Sequence, residues 1–449
     1  MVDLFEPVLT ARWEMDGPVW IDEYERTGGY RGLRKALSMS PNEVIEEVKA
    51  SGLRGRGGAG FPTGTKWDFV PKDTGKPIYL VVNFDESEPG TFNNRELVER
   101  DPHQLVEGIA IAAWALRSHH AFVYTRGEFL HPGNVLERAV AEAYDRGYLG
   151  ERIAGTEHAL DVVIHRGAGA YICGEETALL ESLEGRRGQP RLRPPFPVVE
   201  GLYRAPTAIN NVETLCNVPH ILDRGHHWFS SIGTDKSTGP KVFSLSGKVN
   251  RPGNYEAPLG TPVRTLIEDF AGGVRDGAAL KAWTPGGSST PFLTAEHLDT
   301  AMDFESVQAA GSLLGTGAVI VLDERDCIVD ATLRLTQFYA HESCGKCTPC
   351  REGTWWMTKV YQRLEQGLGR MEDIDILDDT GRNILFKAFC ALADGAVSPV
   401  ASSIKYFRGE YEAHVREKGC PFKRRSDVSA ATPREGGAEG SIPLAEVLP

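Results

Sequence analysis

The sequence predicts an α/β protein that ends in an all-helical region, with a small α+β module between the two. Between residues 77 and 185, apolar runs typical of buried strands alternate with helical patterns, which indicates a parallel sheet covered by helices. Short strands around one helix occupy residues 240–325 and predict a module of grasp type. Residues 330–417 carry four helical stripes and predict a bundle.

The first region begins with a helix and continues with three strand–helix pairs. Pro41 is expected at the first position of a helix, with Ser40 as its N-cap. The predicted strands are 78–83, 121–124 and 160–165, and the predicted helices are 103–116, 133–144 and 177–183. In the grasp module we expect strands at 241–247 and 315–322 and a helix at 262–270.

The last region is expected to contain four helices. Asp330 is the predicted cap of a helix over 331–341. The second and third helices are expected to bury two apolar stripes, which are Trp356, Val360 and Leu364, and then Ile384, Leu385, Phe389 and Leu392. Ser398-Pro399 is expected to begin the fourth helix, with Val400, Ile404, Phe407 and Tyr411 as its stripe.

Composition excludes several classes of protein. The 449 residues contain 62 Asp and Glu against 49 Lys and Arg, a formal charge of −13, which argues against a general nucleic-acid binder. No run of about 18 apolar residues predicts a membrane-spanning helix. The first residues have neither a basic and apolar signal nor an Arg-rich, acid-poor character. We therefore expect a protein that stays in a bacterial-type cytoplasm. Peripheral docking on a membrane complex is compatible with this expectation.

Three of the eight cysteines form a metal-binding motif. Cys344, Cys347 and Cys350 are spaced C-x₂-C-x₂-C, a pattern that holds one face of a cubane iron–sulfur cluster. Cys390, expected at a helix end in the same bundle, is the favoured fourth ligand. A zinc site and plain buried cysteines are the alternatives. The other four cysteines lack partners in sequence and are expected to be small buried hydrophobes: Cys173, Cys216, Cys327 and Cys420.

The first glycine-rich loop, residues 52–64, contains G-x-G-x-x-G in the form of Gly55, Gly57 and Gly60, with Gly58 between them. A helix precedes the loop where a Rossmann fingerprint needs a strand, so the standard dinucleotide interpretation fails. The loop can still line a phosphate with backbone amides. Arg54, Arg56 and Lys66 are expected to supply charge, and Phe61, Trp67 and Phe69 stacking faces. A flexible interdomain turn is the alternative.

The second loop, 167–177, follows the third predicted strand and opens a helix, which is the context of a ligand site at the carboxyl ends of a parallel sheet. Amides suit the hydrogen-bonding edge of a flavin, and carboxylates suit ribose or ribityl hydroxyls. The Arg/Pro-rich loop 186–206 is either an anion site or a solvated surface. Further candidate ligand-binding residues follow the first strand, namely Asn83, Asp85, Glu86 and Glu88, or follow this loop, namely Asn210, Asn211 and Thr214.

These segments together resemble one family closely. The motifs are residues 52–64, 83–90, 167–177, 209–214 and 342–353, and they occur in the family's order. Over about residues 20–420 the sequence is similar to the NADH-binding flavoprotein subunits of respiratory complex I, the F subunits of NADH-quinone oxidoreductases.

The resemblance implies a fold and a set of cofactors. It implies an N-terminal segment with the glycine-rich loop (1–63), a Rossmann-like FMN and NADH domain (64–235), a ubiquitin-like β-grasp domain (236–327), a four-helix bundle with one [4Fe-4S] cluster (328–420) and a flexible tail (421–449). It implies that NADH, oxidised to NAD⁺, is the substrate. The implied FMN contacts are Gly55, Gly57, Lys66, Asn83, Asp85, Glu86, Gly174, Glu175, Asn210 and Asn211. Further cofactor-binding residues are expected at Arg56, Gly58, Gly60, Tyr171 and Thr214.

The resemblance also assigns the substrate and metal positions. The implied NADH contacts are Phe61, Phe69, Glu88, Glu176, Arg193 and Phe196, and the implied cluster ligands are Cys344, Cys347, Cys350 and Cys390. No catalytic acid or base is implied, although Glu88 is placed near the nicotinamide. Glu176 is expected to disfavour NADPH by repelling its 2′-phosphate. At Arg193 the family often has Lys, and Arg keeps the charge in a planar fork.

The implied partners are other subunits of the peripheral arm of complex I, especially a small thioredoxin-like [2Fe-2S] subunit and a large multi-cluster subunit. The implied location is the cytoplasmic face of the bacterial inner membrane. The rival enzyme is a soluble diaphorase subunit of an NAD-reducing hydrogenase or formate dehydrogenase. Such proteins often carry N-terminal iron–sulfur domains, whereas the first cysteine here is Cys173. A structural metal-binding scaffold is the non-enzyme alternative.

Overall fold

The structure is a computed structural model that describes residues 5–423, so the predicted tail beyond residue 423 lies outside the described residues. Its first sheet has four parallel strands in the order β3-β2-β1-β4. The strands are β1 (Tyr79–Phe84), β2 (His120–Thr125), β3 (Asp161–Arg166) and β4 (Thr207–Asn211). The predicted parallel sheet is confirmed.

Ten helices accompany this sheet. They are α1 (Ile21–Arg26), α2 (Arg31–Leu37), α3 (Pro41–Ala50), α4 (Thr63–Asp68), α5 (Asn93–Arg100), α6 (Pro102–Leu116), α7 (Leu130–Asp145), α8 (Glu176–Leu183), α9 (Val212–Arg224) and α10 (His226–Ser230). Ser40 caps α3 as predicted, because its hydroxyl accepts a hydrogen bond from the Glu43 amide while the Glu43 carboxylate accepts one from the Ser40 amide. The side chains of α6 are buried along nearly its whole length.

The strand order places a topological switch point between β1 and β4. The chain runs outward from β1 to β2 and β3, and then returns to add β4 on the other side of β1. Ligands of open parallel sheets bind at the carboxyl ends of the two strands where the order reverses. The sequence did not predict β4, because its residues Thr207–Asn211 follow a proline-rich loop and are short and partly polar.

The second sheet has five strands in the order β6-β5-β9-β7-β8. They are β5 (Pro240–Gly247), β6 (Gly253–Pro258), β7 (Leu280–Thr284), β8 (Leu293–Thr294) and β9 (Ala318–Asp323). The first and last strands, β5 and β9, are adjacent and parallel, as in a β-grasp fold. The predicted helix 262–270 is a short α-helix, α11 (Val263–Thr265), continued by one wide π turn to Phe270. A further helix, α12 (Phe304–Ala309), precedes β9.

The bundle consists of α13 (Ile328–Glu342), α14 (Thr348–Glu365), α15 (Met371–Ile384) and α16 (Leu392–Glu417). The predicted cap of α13 was wrong: Cys327 is the N-cap, and its sulfur accepts the amide hydrogen of Asp330, 3.3 Å away. The predicted stripe of α14 was wrong at its first residue. Trp356 is 55% exposed, and the helix buries its neighbour Met357 instead, whereas Leu364 is buried as predicted and Val360 is partly buried.

The third helix stops earlier and the fourth begins earlier than predicted. Helix α15 ends at Ile384, and residues 385–391 form an irregular connection that carries Cys390. Helix α16 begins at Leu392 and includes Pro399, which was expected near its start. The apolar residues of the connection have the spacing of a helical stripe, which explains the wrong prediction. They do not form one face of a helix, and Phe389 is 41% exposed.

The parallel sheet lies between two hydrophobic cores. On one face, Val82 packs with the N-terminal helices α2 and α3 and with α6. On the other face, Val81 and Ile209 belong to a core that continues into the bundle. The β-grasp domain has its own core around Trp283. Among the described residues, no helix combines the length and the apolar character that crossing a membrane requires.

Candidate functional site

Both glycine-rich loops converge on the switch point. A methyl group placed on Gly57 would lie 3.0 Å from Cβ of Asn211 at the end of β4. A methyl group on Gly174 would lie 3.4 Å from the carbonyl oxygen of Asp85, just after β1. Gly58 and Gly60 have φ values of +119° and +64°, which side chains disfavour. The loops are therefore close to the strand ends because glycine permits it, and they line a backbone cradle there.

Two carboxylates in this cradle each have a buried oxygen that accepts no hydrogen bond within the part of the chain that the structure describes. These atoms are Asp85 Oδ2 and Glu175 Oε1, and the nearest charge to the second is Arg193 Nη1, 3.7 Å away. The other oxygens are engaged, since Asp85 Oδ1 accepts from the Ser87 hydroxyl and Glu175 Oε2 accepts from the first amides of α8. A buried acceptor without a partner costs about 1–3 kcal/mol, so these oxygens suit a ligand that brings hydroxyl donors.

The state of Asp85 predicts a pH effect on stability. Burial raises the pKa of Asp85 to about 7, against opposition from the Ser87 hydrogen bond and the charge of Arg126. In the unfolded chain the pKa is about 3.9. The folded protein without ligand therefore retains the proton longer, and its free energy of unfolding falls as pH rises from about 4 to 7, by at most about 4 kcal/mol from this group.

Asp85→Asn is expected to remove that part of the pH dependence. In flavin-free protein, the urea midpoint of Asp85→Asn should exceed that of the original sequence by more at pH 8 than at pH 5. Asp145→Asn replaces an exposed aspartate and is the matched control, for which the difference should not depend on pH. An equal difference at both pH values would show that Asp85 does not titrate in this interval.

Several side chains that were expected to bind a cofactor have partners within the scaffold. The Arg56 guanidinium is buried and donates to the carbonyls of Thr238 and Pro240. Both carboxylate oxygens of Glu86 accept from the first amides of α5, and one also accepts from the Arg95 side chain. The Thr214 hydroxyl accepts from the Arg56 amide, 2.8 Å away. These side chains support the cradle from outside, and their direct contact with FMN stays a prediction.

Other predicted side chains lie at the strand ends themselves. Asn83 donates to the carbonyl of Gly174, 2.8 Å away, and so joins the second loop to β1. Asn210 accepts from the Trp67 indole at 2.9 Å, and Asn211 caps α9. Burial lowers the pKa of Lys66, whose ammonium donates to the Ile209 carbonyl at 3.1 Å. Lys66 thus brings a partly buried positive charge to the end of β4.

Three predicted aromatic side chains are exposed. Phe61, Phe69 and Phe196 are 44%, 58% and 53% exposed, and the Phe61 and Phe69 rings beside the first glycine-rich loop lie 6.3 Å apart. Exposed aromatic rings offer a surface for stacking a flat ligand. Glu176 and Arg193 form an ion pair of 2.9 Å. The resemblance assigns all five residues to contacts with one substrate.

The structure reveals a network around Glu88 that the sequence did not predict. Tyr171 donates to one carboxylate oxygen at 2.6 Å, and the Ser289 amide and Ser288 hydroxyl donate to the other at 2.7 and 3.0 Å. The Ser288 hydroxyl also pairs with that of Tyr339 in α13. Burial raises the pKa of Glu88, and these donors oppose the change. The network joins all three folded units. Glu88 and Tyr171 were expected at the site, whereas the serines come from the Gly-Gly-Ser-Ser run at 286–289, which was not among the expected site residues.

The four predicted cluster ligands line one cavity. Cys344, Cys347, Cys350 and Cys390 surround it together with Ile172 and Pro190 of the sheet domain. Burial raises the pKa of Cys390 to about 12, opposed by the Leu392 amide and assisted by the Glu175 charge. Burial also raises the pKa of Cys350 to about 11. Four thiols around one space fit a [4Fe-4S] cluster, whose iron would supply the positive charge that buried thiolates need.

One short turn connects the cradle with this cavity. The turn Tyr171–Gly174 places Ile172 against the cysteines and Gly174 against Asp85. Two residues span at most about 7 Å of chain. The Tyr171 amide also donates to the Glu342 carboxylate at the end of α13, 3.0 Å away, so the turn is bound to the bundle.

Comparisons with known proteins agree with this geometry. Residues 48–220 match the family described as the Nuo51 FMN-binding domain, 330–414 match the NADH-ubiquinone oxidoreductase-F iron–sulfur binding region, and 242–293 match the SLBB domain. The chain is 59% identical over 419 residues to the F subunit of the NADH-quinone oxidoreductase of Streptomyces coelicolor, covering 93% of both chains. This chain belongs to the family of NADH-quinone oxidoreductase F subunits.

Other F subunits of NADH-quinone oxidoreductases are similar over the same length. They include the proteins of Mycobacterium tuberculosis H37Rv, 60% identical over 95% of this chain and 97% of the relative, and Escherichia coli K12, 49% identical over 93% and 94%. Two solved structures of an NAD⁺-reducing [NiFe]-hydrogenase are also similar. The air-oxidised form has a TM-score of 0.76 and 38% sequence identity, and it covers 84% of this chain. The H₂-reduced form has a TM-score of 0.80 and 35% sequence identity, and it covers 91% of this chain. The chain spans 63% and 67% of those hydrogenase chains.

Proposed function

We propose that this F-family chain oxidises NADH with FMN and delivers single electrons to its own [4Fe-4S] cluster, as a subunit of an NADH-quinone oxidoreductase. One observation carries the proposal: a turn of four residues joins a glycine-lined cradle that contains acceptors without partners to a cavity lined by four cysteines. FMN, when bound, accepts a hydride and releases its electrons one at a time, and the cluster carries one electron.

The residues of the cradle match the parts of FMN. Asp85 and Glu175 each present a buried oxygen that can accept a ribityl hydroxyl. The backbone around Gly57 allows close approach of the ligand, and the Lys66 ammonium supplies positive charge for a phosphate. Asn83 holds the second loop against β1, so the two sides of the cradle keep their spacing.

NADH is proposed to enter between the exposed rings of Phe61 and Phe196, with Phe69 beside them. Stacking holds the nicotinamide at the contact distance that hydride transfer needs, about 3–3.5 Å, and no protein acid or base is required. Glu88 is a positioning residue in this scheme, because its carboxylate is held by Tyr171 and by the β-grasp domain.

The partners are proposed to dock beside the cluster. Trp355 and Trp356 on α14 are 52% and 55% exposed, and Phe386 after α15 is 84% exposed. Gly353 packs on Ile384, so these exposed side chains belong to adjacent segments next to the cysteines. Such a patch suits another subunit that takes the electron onward. We propose the small [2Fe-2S] and the large multi-cluster subunits as neighbours, at the cytoplasmic face of the membrane.

The hydrogenase similarity supports a second candidate, a diaphorase that exchanges electrons between NAD and a hydrogenase. The fold and cysteines of this chain suit both enzymes, because the NADH half of the reaction is shared. Identity distinguishes them, since it is 49–60% to F subunits over nearly the whole chain and 35–38% to the hydrogenase chains. The quinone-linked enzyme is therefore favoured.

An anaerobic titration of the purified holoprotein with NADH tests the proposal. NADH should bleach the flavin bands and then reduce the cluster, in a sample that contains four irons and four sulfides per chain. NADPH should react at least about tenfold less effectively, because the Glu176 carboxylate repels its 2′-phosphate.

The variant Glu176→Gln should reduce the preference for NADH over NADPH. It removes the carboxylate that repels the 2′-phosphate, and it frees Arg193 from its ion pair. Glu137→Gln, which removes a surface partner of Arg166, is the matched control and should leave the preference intact. A colourless protein that does not react with NADH would contradict the proposed function. An unchanged preference in Glu176→Gln would contradict only the role of that carboxylate.

A further inference from the structure

A second group of metal-binding side chains lies apart from the sites described above. Cys327, Glu365, His414 and Cys420 converge, and their four donor atoms lie within 4.8 Å of one another. Both cysteines and the histidine are buried, and the Glu365 side chain is only 11% exposed. The sequence had suggested two isolated hydrophobic cysteines, because the residues are far apart along the chain.

The distances between the donor atoms fit a tetrahedral ion. Cys327 Sγ lies 3.4 Å from His414 Nε2 and 3.9 Å from Glu365 Oε1, and His414 Nε2 lies 3.2 Å from Glu365 Oε1. Tetrahedral zinc with bonds of about 2.0–2.3 Å separates its ligand atoms by about 3.3–3.8 Å. Three of the donors thus occupy nearly the positions that a central ion would require, and Cys420 Sγ lies within 4.8 Å of each of them.

Surrounding groups orient each donor toward the centre. His414 Nδ1 lies 2.6 Å from the Glu410 carbonyl, which can only accept, so Nδ1 carries a hydrogen and Nε2 is the ring nitrogen that faces the other donors. The Asp330 amide donates to Cys327 Sγ. Lys423 pairs with the second Glu365 oxygen at 2.8 Å and leaves Oε1 facing the cysteine and histidine. Second-sphere contacts of this kind are typical of metal sites.

We propose that Cys327, Glu365, His414 and Cys420 bind one Zn²⁺ as a structural ion. Two thiolates, an imidazole and a carboxylate are ligands that zinc prefers, whereas magnesium and calcium prefer oxygen alone. As the metal binds, the protons that the thiols and His414 Nε2 carry are released to solvent. Two thiolates and one carboxylate around Zn²⁺ leave one negative charge. The Lys423 ammonium lies beside that charge and is shared with Asp330, which also pairs with Arg334.

The zinc would lie at the far end of the bundle from the iron–sulfur cysteines. Cys327 precedes α13 and Glu365 ends α14, whereas Cys344 and Cys347 lie between these helices at their other ends. Helix α13 has 15 residues and a length of about 22 Å. All four coordination positions are protein ligands, so the ion would tie the residues after α16 to the start of the bundle and take no part in electron transfer.

The test measures zinc on the complete chain with its iron–sulfur cluster intact. After addition of excess zinc and removal of loosely bound metal, we expect one zinc per chain besides four irons. X-ray absorption at the zinc edge should show two sulfur ligands at about 2.3 Å and two nitrogen or oxygen ligands at about 2.0–2.2 Å. Cys420→Ala should lower the zinc content at least about tenfold without loss of iron.

Cys216→Ala is the matched control, because Cys216 is another buried thiol on α9, and it should retain the zinc. Less than a tenth of an equivalent in the original protein would overturn the proposal. So would a shell of four sulfurs, which would place the zinc at the cluster cysteines, or a Cys327–Cys420 disulfide in protein purified anaerobically. The absorption measurement needs no variant, so it decides the matter even if Cys420→Ala does not fold.

Discussion

Cys390→Ala is expected to abolish electron transfer beyond the flavin. Cys390 lies on an irregular connection, yet its thiol lines the same cavity as the three clustered cysteines. Alanine removes one of four ligands and offers no atom that can replace it. Iron and sulfide content should fall by more than half, and reduction of an acceptor that takes electrons from the cluster should fall by at least about 100-fold.

Flavin reduction in a single turnover should change little in this variant, because no residue of the cradle is altered. Cys216→Ala serves again as the control thiol and should keep both the cluster and the activity. A variant that retains four irons would show that a different residue is the fourth ligand. A simultaneous loss of flavin would show that the cavity also supports the cradle, contrary to the expected separation of the two effects.

Gly57→Val is expected to remove FMN from the protein. Even a methyl group at this position would lie 3.0 Å from Cβ and 3.4 Å from Cγ of Asn211, so the loop must shift away from β4. Overpacking of this kind costs about 1–3 kcal/mol, which corresponds to about a 5- to 150-fold loss of flavin affinity if the whole cost falls on the flavin site. Flavin content after gel filtration and the dissociation constant for added FMN are the measurements.

Gly409→Val is the matched control, because no atom lies within 4 Å of a methyl group at that position in α16. The control should bind FMN as the original protein does. If Gly57→Val also binds FMN with unchanged affinity, then the first glycine-rich loop does not form the cradle, and the flavin site must depend on the second loop alone.

The sequence allowed prediction of features that are encoded locally. Cys344, Cys347 and Cys350 are neighbours in sequence, so their common purpose was evident, and the three apolar strands indicated the parallel sheet. Asn83 and Asp85 were assigned to a ligand edge because they directly follow a strand. The fold class and the family are confirmed by the structure and the comparisons.

The rest depends on contacts between distant parts of the chain. Glu86 has the same chemistry as Asp85, and only the position of α5 shows that it serves a helix start. Strand β4 exists because β1 offers it an unpaired edge, which no local pattern of Thr207–Asn211 reveals. Cys327 and Cys420 are far apart in sequence, and they come together in one group of possible metal ligands only because α13 and α16 pack side by side.

The turn Tyr171–Gly174 has a consequence for how this chain can be reused. It sets the gap between electron donor and electron acceptor within one piece of backbone, so that gap is inherited as a unit whenever the gene is copied or recombined. Partners on the outer side of the bundle can then be exchanged without retuning the first electron transfer. A unit that carries both the electron donor and the first acceptor could be combined with different partners. The similarity of this chain to subunits of quinone reductases and to a hydrogenase chain is expected from such exchange.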